Sequence, residues 1–318
     1  MPNSETNRRE FLRALVGSAV GLSFTYSAFG QAGAPPDIKA TKLTDRLVLL
    51  SGDGGNVIVV IGDDGLMMID GGLPNRSADL LKAISDVDSH KVRILFDTHW
   101  HFDHVGSNET LGKSGAKIIA HENVKKRLST GVVSEALNIM QSAPLDRRQG
   151  PLQPEGIPSE TFSKGGKLTF GKEKIEYTHI PLAHTDGDTY LFFPNANVLH
   201  TGDLLFNRMY PVIDYSTGGW IGGMAAACER LLKVGDDKTQ IVPGHGPLAS
   251  KEDLKASRDM LHTVQQRLEA MSKQGKSRDE VVASQPTKDL DDKWGKPRPP
   301  EVFLRMAYPS LAAHKQQA

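Results

Sequence analysis

Three histidines and one aspartate lie within the six residues from His99 to His104, directly after a short aliphatic run. That run, residues 92–96, has the length and composition of a buried strand. Side chains two positions apart along an extended chain point the same way, so His99 and His101 can reach one metal ion. Asp103 and His104 then turn toward a second ion. Imidazole and carboxylate ligands suit zinc, iron or manganese, and the segment therefore predicts a metal site at the end of a strand.

The chain from residue 40 onward reads as two successive halves, each with strands followed by helices. Short β-branched or aliphatic runs predict strands at 47–50, 57–61, 66–70, 92–96, 117–120, 167–170, 174–179, 189–193, 198–201 and 239–242. Apolar residues at helical spacing predict helices at 77–87, 122–128, 220–233 and 251–273. Two such halves favour an α/β fold in which two packed sheets form the core and helices lie outside.

In two further segments the apolar residues show no clear helical or strand periodicity. Residues 131–165 are rich in Gly, Pro and Gln, which predicts a long insertion with one helix around 135–140, and a loop of this length beside a site is typically a lid or binding segment. Residues 274–318 contain Pro297, Pro299 and Pro300 just before an apolar run at 302–311, which predicts a C-terminal helical extension that docks as a final helix or covers a partner surface. The catalytic domain would then span residues 40–273.

The pattern His-x-His-x-Asp-His at 99–104 resembles the signature of the metallo-β-lactamase superfamily, whose fold is a four-layer αβ/βα sandwich with the metals at one sheet edge. The resemblance covers about residues 42–270. Later segments match it in the same order: Ala183-His184-Thr185-Asp186-Gly187, then His200-Thr201-Gly202-Asp203 in the form found in glyoxalase II, then Pro243-Gly244-His245-Gly246-Pro247.

The resemblance implies two divalent metal ions per chain, with Zn²⁺ favoured and Fe or Mn still open. It assigns His99, His101 and His184 to one ion, Asp103, His104 and His245 to the other, and Asp203 to a bridge between them. Asp103 is also the expected catalytic residue, which would orient the attacking hydroxide and pass its proton to the leaving group. Asp70, in a turn before two glycines, is expected to orient a ligand imidazole.

The remaining histidines have no motif around them and are not expected to bind metal: His90, His121, His179, His200, His262 and His314. Cys228 is the only cysteine, so no intramolecular disulfide can form, and its helix-like surroundings predict a buried, inert thiol.

The charge balance is neutral, with 38 basic and 38 acidic residues. Nucleic-acid binding normally requires a basic surplus, so a small-molecule substrate is expected instead, with no nucleic-acid partner. The sequence leaves the oligomeric state open.

The first 32 residues resemble a twin-arginine signal peptide. Asn7-Arg8-Arg9-Glu10-Phe11-Leu12 carries the arginine pair, and a mildly apolar stretch follows that is too short and polar for a convincing membrane span. Small residues around 28–32 offer cleavage sites. The protein is therefore expected to be periplasmic or secreted, with no transmembrane span in the mature chain, although an uncleaved signal acting as an anchor stays open.

The expected activity is that of a metallo-hydrolase in which a metal-bridging hydroxide attacks an ester, thioester, lactone or β-lactam carbonyl. Arg208 and Tyr210 follow Asp203 closely, so Arg208 could receive an anionic substrate and Tyr210 could polarise a carbonyl. Three alternatives stay open: an iron-dependent sulfur dioxygenase, a phosphodiesterase, and a non-catalytic periplasmic accessory protein of a quinoprotein pathway.

Overall fold

Two β-sheets dominate the structure, a computed structural model that describes residues 37–52, 54–140 and 148–317. The first sheet has seven strands in the order β1-β2-β3-β4-β5-β6-β9. Its strands β1 to β4 are antiparallel neighbours, and β4, β5, β6 and β9 run parallel. The strands are β1 (Lys39–Lys42), β2 (Leu47–Ser51), β3 (Val57–Ile61), β4 (Leu66–Ile69), β5 (Val92–Phe96), β6 (Lys117–His121) and β9 (Glu160–Phe162).

The second sheet has five strands in sequence order, antiparallel except for the parallel pair β13–β14. They are β10 (Gly165–Phe170), β11 (Glu173–His179), β12 (Thr189–Phe193), β13 (Val198–His200) and β14 (Gln240–Val242). A separate two-stranded antiparallel sheet consists of β7 (Val132–Val133) and β8 (Arg148–Gln149).

Successive side chains of a strand point to opposite faces of its sheet, and this alternation explains how the layers pack. In β2, Leu47 and Leu49 face a core shared with the second sheet, while Val48 and Leu50 face a separate core on the other side. The shared core holds Phe96 from the first sheet and Leu191 from the second. Strands buried on both faces require covering layers on each side. The expected four-layer αβ/βα sandwich is confirmed.

Nine α-helices in the described residues cover the two outer faces or connect the strands. They are α1 (Ser77–Val87), α2 (Asn108–Lys113), α3 (Glu122–Thr130), α4 (Glu135–Met140), α5 (Ile221–Leu231), α6 (Lys251–Lys273), α7 (Arg278–Ala283), α8 (Asp291–Trp294) and α9 (Pro300–Gln317). The bounds predicted for α1 and α6 are confirmed. A capping box between Ser250 and Asp253 fixes the start of α6.

The segment 131–165 is more ordered than a loop. The predicted helix around 135–140 is confirmed as α4, and β9 completes the edge of the first sheet. Residues 141–147 lie outside the described residues. Val132 and Leu137 pack with the fully buried Trp100, so this segment covers the loop that carries the histidine cluster.

The C-terminal segment docks against the second sheet's helices. Phe303, Leu304 and Met306 of α9 are buried in the same core as α5 and α6. The predicted final helix is therefore observed, whereas the division of the chain at residue 273 stays a prediction.

Among the described residues, no helix combines the length and apolar character that a membrane crossing requires. The predicted signal peptide, residues 1–32, lies outside the described residues. Cys228 is buried in α5, and this burial raises the pKa of its thiol to about 12.

Candidate metal centre

The predicted ligands converge at one edge of the two sheets, in loops that follow strand ends. The cluster 97–104 follows β5, and Asp70 follows the parallel neighbour β4. From the second sheet, His184 lies between β11 and β12, while Asp203 and His245 follow the parallel strands β13 and β14. Because the carboxyl ends of parallel strands meet at one edge, segments far apart in the chain bring their side chains together there.

The first group contains His99, His101, His184 and Asp203, all buried. His101 Nδ1 lies 3.2 Å from His99 Nε2 and 2.8 Å from His184 Nε2. Asp203 Oδ2 lies 3.3 Å from His184 Nε2 and 3.7 Å from His99 Nε2. Three imidazole nitrogens and one carboxylate oxygen thus point at one common position.

The second group contains Asp103, His104 and His245. His245 Nε2 lies 3.3 Å from His104 Nε2 and 3.2 Å from Asp103 Oδ2. The other oxygen of Asp203, Oδ1, lies 3.2 Å from His104 Nε2 and 3.4 Å from His245 Nε2. Asp203 therefore presents one oxygen to each group, as expected for a bridging ligand. The structure brings all seven predicted ligands together in the expected grouping.

Hydrogen bonds on the far side of each ring show that the inward nitrogens carry lone pairs. His101 Nε2 donates to Asp214 Oδ2 at 3.1 Å, and His184 Nδ1 donates to the Val212 carbonyl at 2.9 Å. The ring N–H of each residue is thereby used, so His101 Nδ1 and His184 Nε2 face each other as two acceptors at 2.8 Å.

The same logic holds for His99 and His104. The Thr98 hydroxyl donates to Asp70 Oδ2, so it can only accept from His99 Nδ1 at 3.1 Å. His104 Nδ1 donates to Asp70 Oδ2 at 2.8 Å. The inward Nε2 of His99 is an acceptor as a result, and Nε2 of His104 is the ring nitrogen that faces Asp203 and His245.

These residues fit divalent cations. Facing acceptors repel one another unless a cation lies between them, and the buried Asp203 Oδ1 has no hydrogen-bond donor among the described residues. Burial lowers the pKa of His184 to about 4 and holds that of His99 well below its usual range, so both rings are neutral, the form that binds metal.

Asp70 holds the ligand loop through hydrogen bonds. Its carboxylate accepts from the Thr98 amide at 2.8 Å, from the Thr98 hydroxyl and from His104 Nδ1. Its backbone is left-handed, with φ of 66°, which ends β4 one residue earlier than predicted and turns the carboxylate toward the cluster. Asp70 thus lies where the expected orienting role requires it, in hydrogen-bond contact with a ligand imidazole.

Asp214 orients His101 as Asp70 orients His104. No motif around Asp214 indicated this role in the sequence. Besides His101 Nε2, its carboxylate accepts from the hydroxyls of Ser134 and Ser216, each at 2.6 Å. Ser134 directly precedes α4, so the segment that covers the ligand loop is tied to a ligand histidine through one buried carboxylate.

Two glycines allow this close packing. A Cβ at Gly244 would collide with Asp203 Oδ1, and one at Gly55 would collide with the imidazole of His104. The backbone can therefore approach both ligand groups only where no side chain intervenes.

The two predicted substrate residues lie outside the ligand groups. Tyr210 is fully buried, its hydroxyl donates to Asp291 Oδ1 at 2.8 Å, and its ring stacks on Phe303. A side chain buried in this way cannot polarise a substrate carbonyl, so Tyr210 is a packing residue. Arg208 is exposed, with its Nε 3.9 Å from Asp253 Oδ1, and its role stays a prediction.

The six histidines without motif support stay outside both ligand groups in the described residues. His200, the nearest of them to Asp203 in sequence, directs its Nε2 at the Asn56 carbonyl, at 3.2 Å.

The fold and the site together define an αβ/βα sandwich protein with a paired His/Asp metal centre. The profile of the metallo-beta-lactamase superfamily matches residues 50–253, and the chain belongs to that superfamily.

Three comparisons illustrate the relationship. A metallo-beta-lactamase type 2 from Bacillus cereus is 24% identical over 208 residues, which cover 65% of this chain and 72% of that protein. A hydroxyacylglutathione hydrolase from Brucella ovis is 32% identical over 113 residues, covering 35% of this chain and 33% of that enzyme. The solved structure of a metallo-beta-lactamase from Pontibacter korlensis has a TM-score of 0.57 at 19% identity, covering 71% of this chain and 99% of that one.

Proposed function

We propose that this protein is a metal-dependent hydrolase that holds two divalent metal ions, preferably zinc, and cleaves an ester, thioester, lactone or β-lactam carbonyl. The observation that carries the proposal is Asp203, whose two oxygens face two separate ligand groups. Members of the superfamily are mostly metallo-hydrolases, which supports the reaction class.

Two divalent cations held in this way make a bound water acidic enough to be a nucleophile near neutral pH. The chain's own contribution is positioning and proton transfer. Asp103 is more accessible than Asp203, with 18% of its side chain exposed against 3%. A carboxylate at this opening can accept the proton of the attacking water and deliver it to the leaving group.

The ligand set supports carbonyl substrates of the ester and thioester kind. The related hydroxyacylglutathione hydrolase and metallo-beta-lactamase both carry names of hydrolases acting at a carbonyl. No cysteine takes part here, because Cys228 lies buried in α5 and Asp203 occupies the bridging position. The neutral charge balance argues against a nucleic-acid substrate.

Substituting Asp103→Asn tests the proton-transfer role. We expect turnover of a good ester or thioester substrate to fall by about a hundredfold to ten-thousandfold, the usual contribution of general acid–base catalysis. Asp64→Asn, which changes an exposed carboxylate in the turn between β3 and β4, is the matched control. Circular dichroism and metal content would be measured alongside. An Asp103→Asn protein that retains its metal and keeps near wild-type rates would disprove the role.

Elemental analysis of the purified protein separates this proposal from its rivals. We expect two zinc ions per chain together with hydrolysis in a screen of ester, thioester, lactone, β-lactam and phosphodiester substrates. One iron per chain would instead favour the sulfur dioxygenase. A metal-loaded protein inactive on every substrate would favour the accessory protein.

A further inference from the structure

Asn56, directly before β3, is a buried asparagine that joins the first sheet to the turn carrying His245. Its side-chain Nδ2 donates to the Pro243 and Gly246 carbonyls, each at 2.9 Å. Its backbone N–H donates to the Gly244 carbonyl at 2.8 Å, and only 5% of the residue is exposed. Both hydrogens of the side-chain amide are thereby used on carbonyls that flank His245, so the turn is held on both sides of the ligand.

His200 connects the same asparagine to the turn that carries the bridging carboxylate. Its Nδ1 accepts from the Gly202 amide at 3.1 Å, so its Nε2 carries the proton and donates to the Asn56 carbonyl at 3.2 Å. Gly202 directly precedes Asp203, and the Gly202 carbonyl accepts from the Gly244 amide at 2.8 Å. The turns that follow β13 and β14 are therefore linked to each other and, through hydrogen bonds of the same asparagine, to the first sheet.

The residue before Asn56 contacts the ligands that the first sheet supplies to the second group. The Gly55 amide donates to the Asp103 carbonyl at 3.2 Å. Because Gly55 has no side chain, its backbone can lie against the imidazole of His104. Two adjacent residues thus meet the chain segments of all three ligands of the second group, Asp103, His104 and His245. In the described part of the chain, the hydrogen bonds of Asn56 do not run to the three histidines of the first group.

We propose that Asn56 is a positioning residue that assembles the second ligand group and thereby determines how firmly the second metal ion is held. The inference rests on the proposed function, since it requires two ions, and it assigns control of one of them to a residue outside the ligand set. Loss of the Asn56 donors would release His245 from Asp103 and His104 while the first group stays in place. Ligands that are held in position before the ion arrives lose less entropy when it binds.

The test measures the two zinc affinities separately, by chelator competition on the full chain. Asn56→Leu retains the size of the side chain and removes its donors, without adding a charge near the ligands. We expect the affinity for one ion to fall about tenfold to a hundredfold and that for the other to change by less than about twofold. Asn56→Gln, which retains the NH₂ group on a longer side chain, should restore part of the lost affinity. Asn56→Ala allows the same comparison if the leucine variant does not fold.

The matched control is Asn197→Ala, at the end of β13 away from Asp203. It removes a side-chain amide that donates to Asp236 Oδ1 at 2.7 Å, and neither residue belongs to a ligand group. We expect both zinc affinities of this variant to equal those of the wild type.

A double substitution identifies which ion is affected. His245→Ala removes a ligand of the second group, so Asn56→Leu should cause little further loss of zinc affinity in the His245→Ala background. Independent sites would instead give additive losses. Additive losses would show that Asn56 does not act through His245.

A second readout does not depend on the number of ions: hydrogen exchange of the backbone amides in residues 244–248, followed by mass spectrometry before and after zinc loading. We expect faster exchange there in Asn56→Leu than in the wild type and Asn197→Ala, with unchanged exchange in residues 99–101. Equal losses of both zinc affinities, or unchanged exchange in residues 244–248, would overturn the positioning role. If the wild type binds a single zinc ion, the two-metal proposal fails, and the exchange measurement alone decides whether Asn56 orders the His245 turn.

Discussion

At the scale of single residues, the metal centre depends on groups that never point at the metal position. Asp214 is fully buried and fixes the tautomer of His101 by accepting its Nε2–H, while two serine hydroxyls donate to the same carboxylate. Partners of this kind orient ligand imidazoles and make them more basic.

Substituting Asp214→Ala should therefore weaken metal binding about tenfold to a hundredfold. Asp214→Asn retains an acceptor oxygen and should restore part of the affinity. The measurement is a chelator competition that gives the affinity and number of bound zinc ions. Asp289→Ala removes a carboxylate paired with Arg267 at the surface and serves as control. If Asp214→Ala and Asp289→Ala bind zinc equally well, Asp214 does not position His101.

The sequence predicted the ligands themselves but not all of their supports. The seven ligands and Asp70 lie in short motifs whose residue types and order are visible in the chain. Asp214 lacks such a signal, because it meets His101 across 113 positions of the chain. The prediction that Tyr210 contacts the substrate rested on its closeness to Asp203 in sequence. Its side chain is instead fully buried.

At the scale of helices and strands, periodicity predicted the long and strongly patterned elements. The predicted bounds of β5, α1 and α6 agree with the structure. The short helix α2 and the edge strands β1 and β9 escaped prediction, because six or fewer residues show too little of a period to recognise. Strand β9 also pairs with β6 across an insertion that composition alone suggested to be irregular.

Helix α9 provides a test of how firmly the C-terminal segment belongs to the fold. Phe303 is fully buried and stacks on Tyr210 with ring centroids 4.5 Å apart. Phe303→Ala should lower the free energy of unfolding by about 3–5 kcal/mol, the usual cost of deleting a buried aromatic ring. Urea denaturation followed by circular dichroism would measure this.

The control for α9 is Glu301→Ala, an exposed position on the same helix, for which we expect a change within about 0.5 kcal/mol. Equal stabilities of the two variants would show that α9 contributes little to the folded core in solution.

At the scale of the whole molecule, export is a proposal that rests on the sequence alone. Lysine at both positions of the pair, Arg8→Lys with Arg9→Lys, should retain the protein in the cytoplasm of a host with a twin-arginine pathway. Arg13→Lys, a few residues further on, is the control and should leave export intact. Cell fractionation and immunoblotting would measure the distribution. Equal export of the double variant and the control would contradict a twin-arginine route.

The division of ligands between the sheets has a mechanical consequence. His99, His101, Asp103 and His104 extend from the first sheet, whereas His184, Asp203 and His245 extend from the second. A cation bound by both sets of ligands would link the two halves of the sandwich. Because such a cation binds only the folded chain, its binding free energy would add to the free energy of unfolding. Under the proposed function, activity and resistance to unfolding would therefore depend on the same ion.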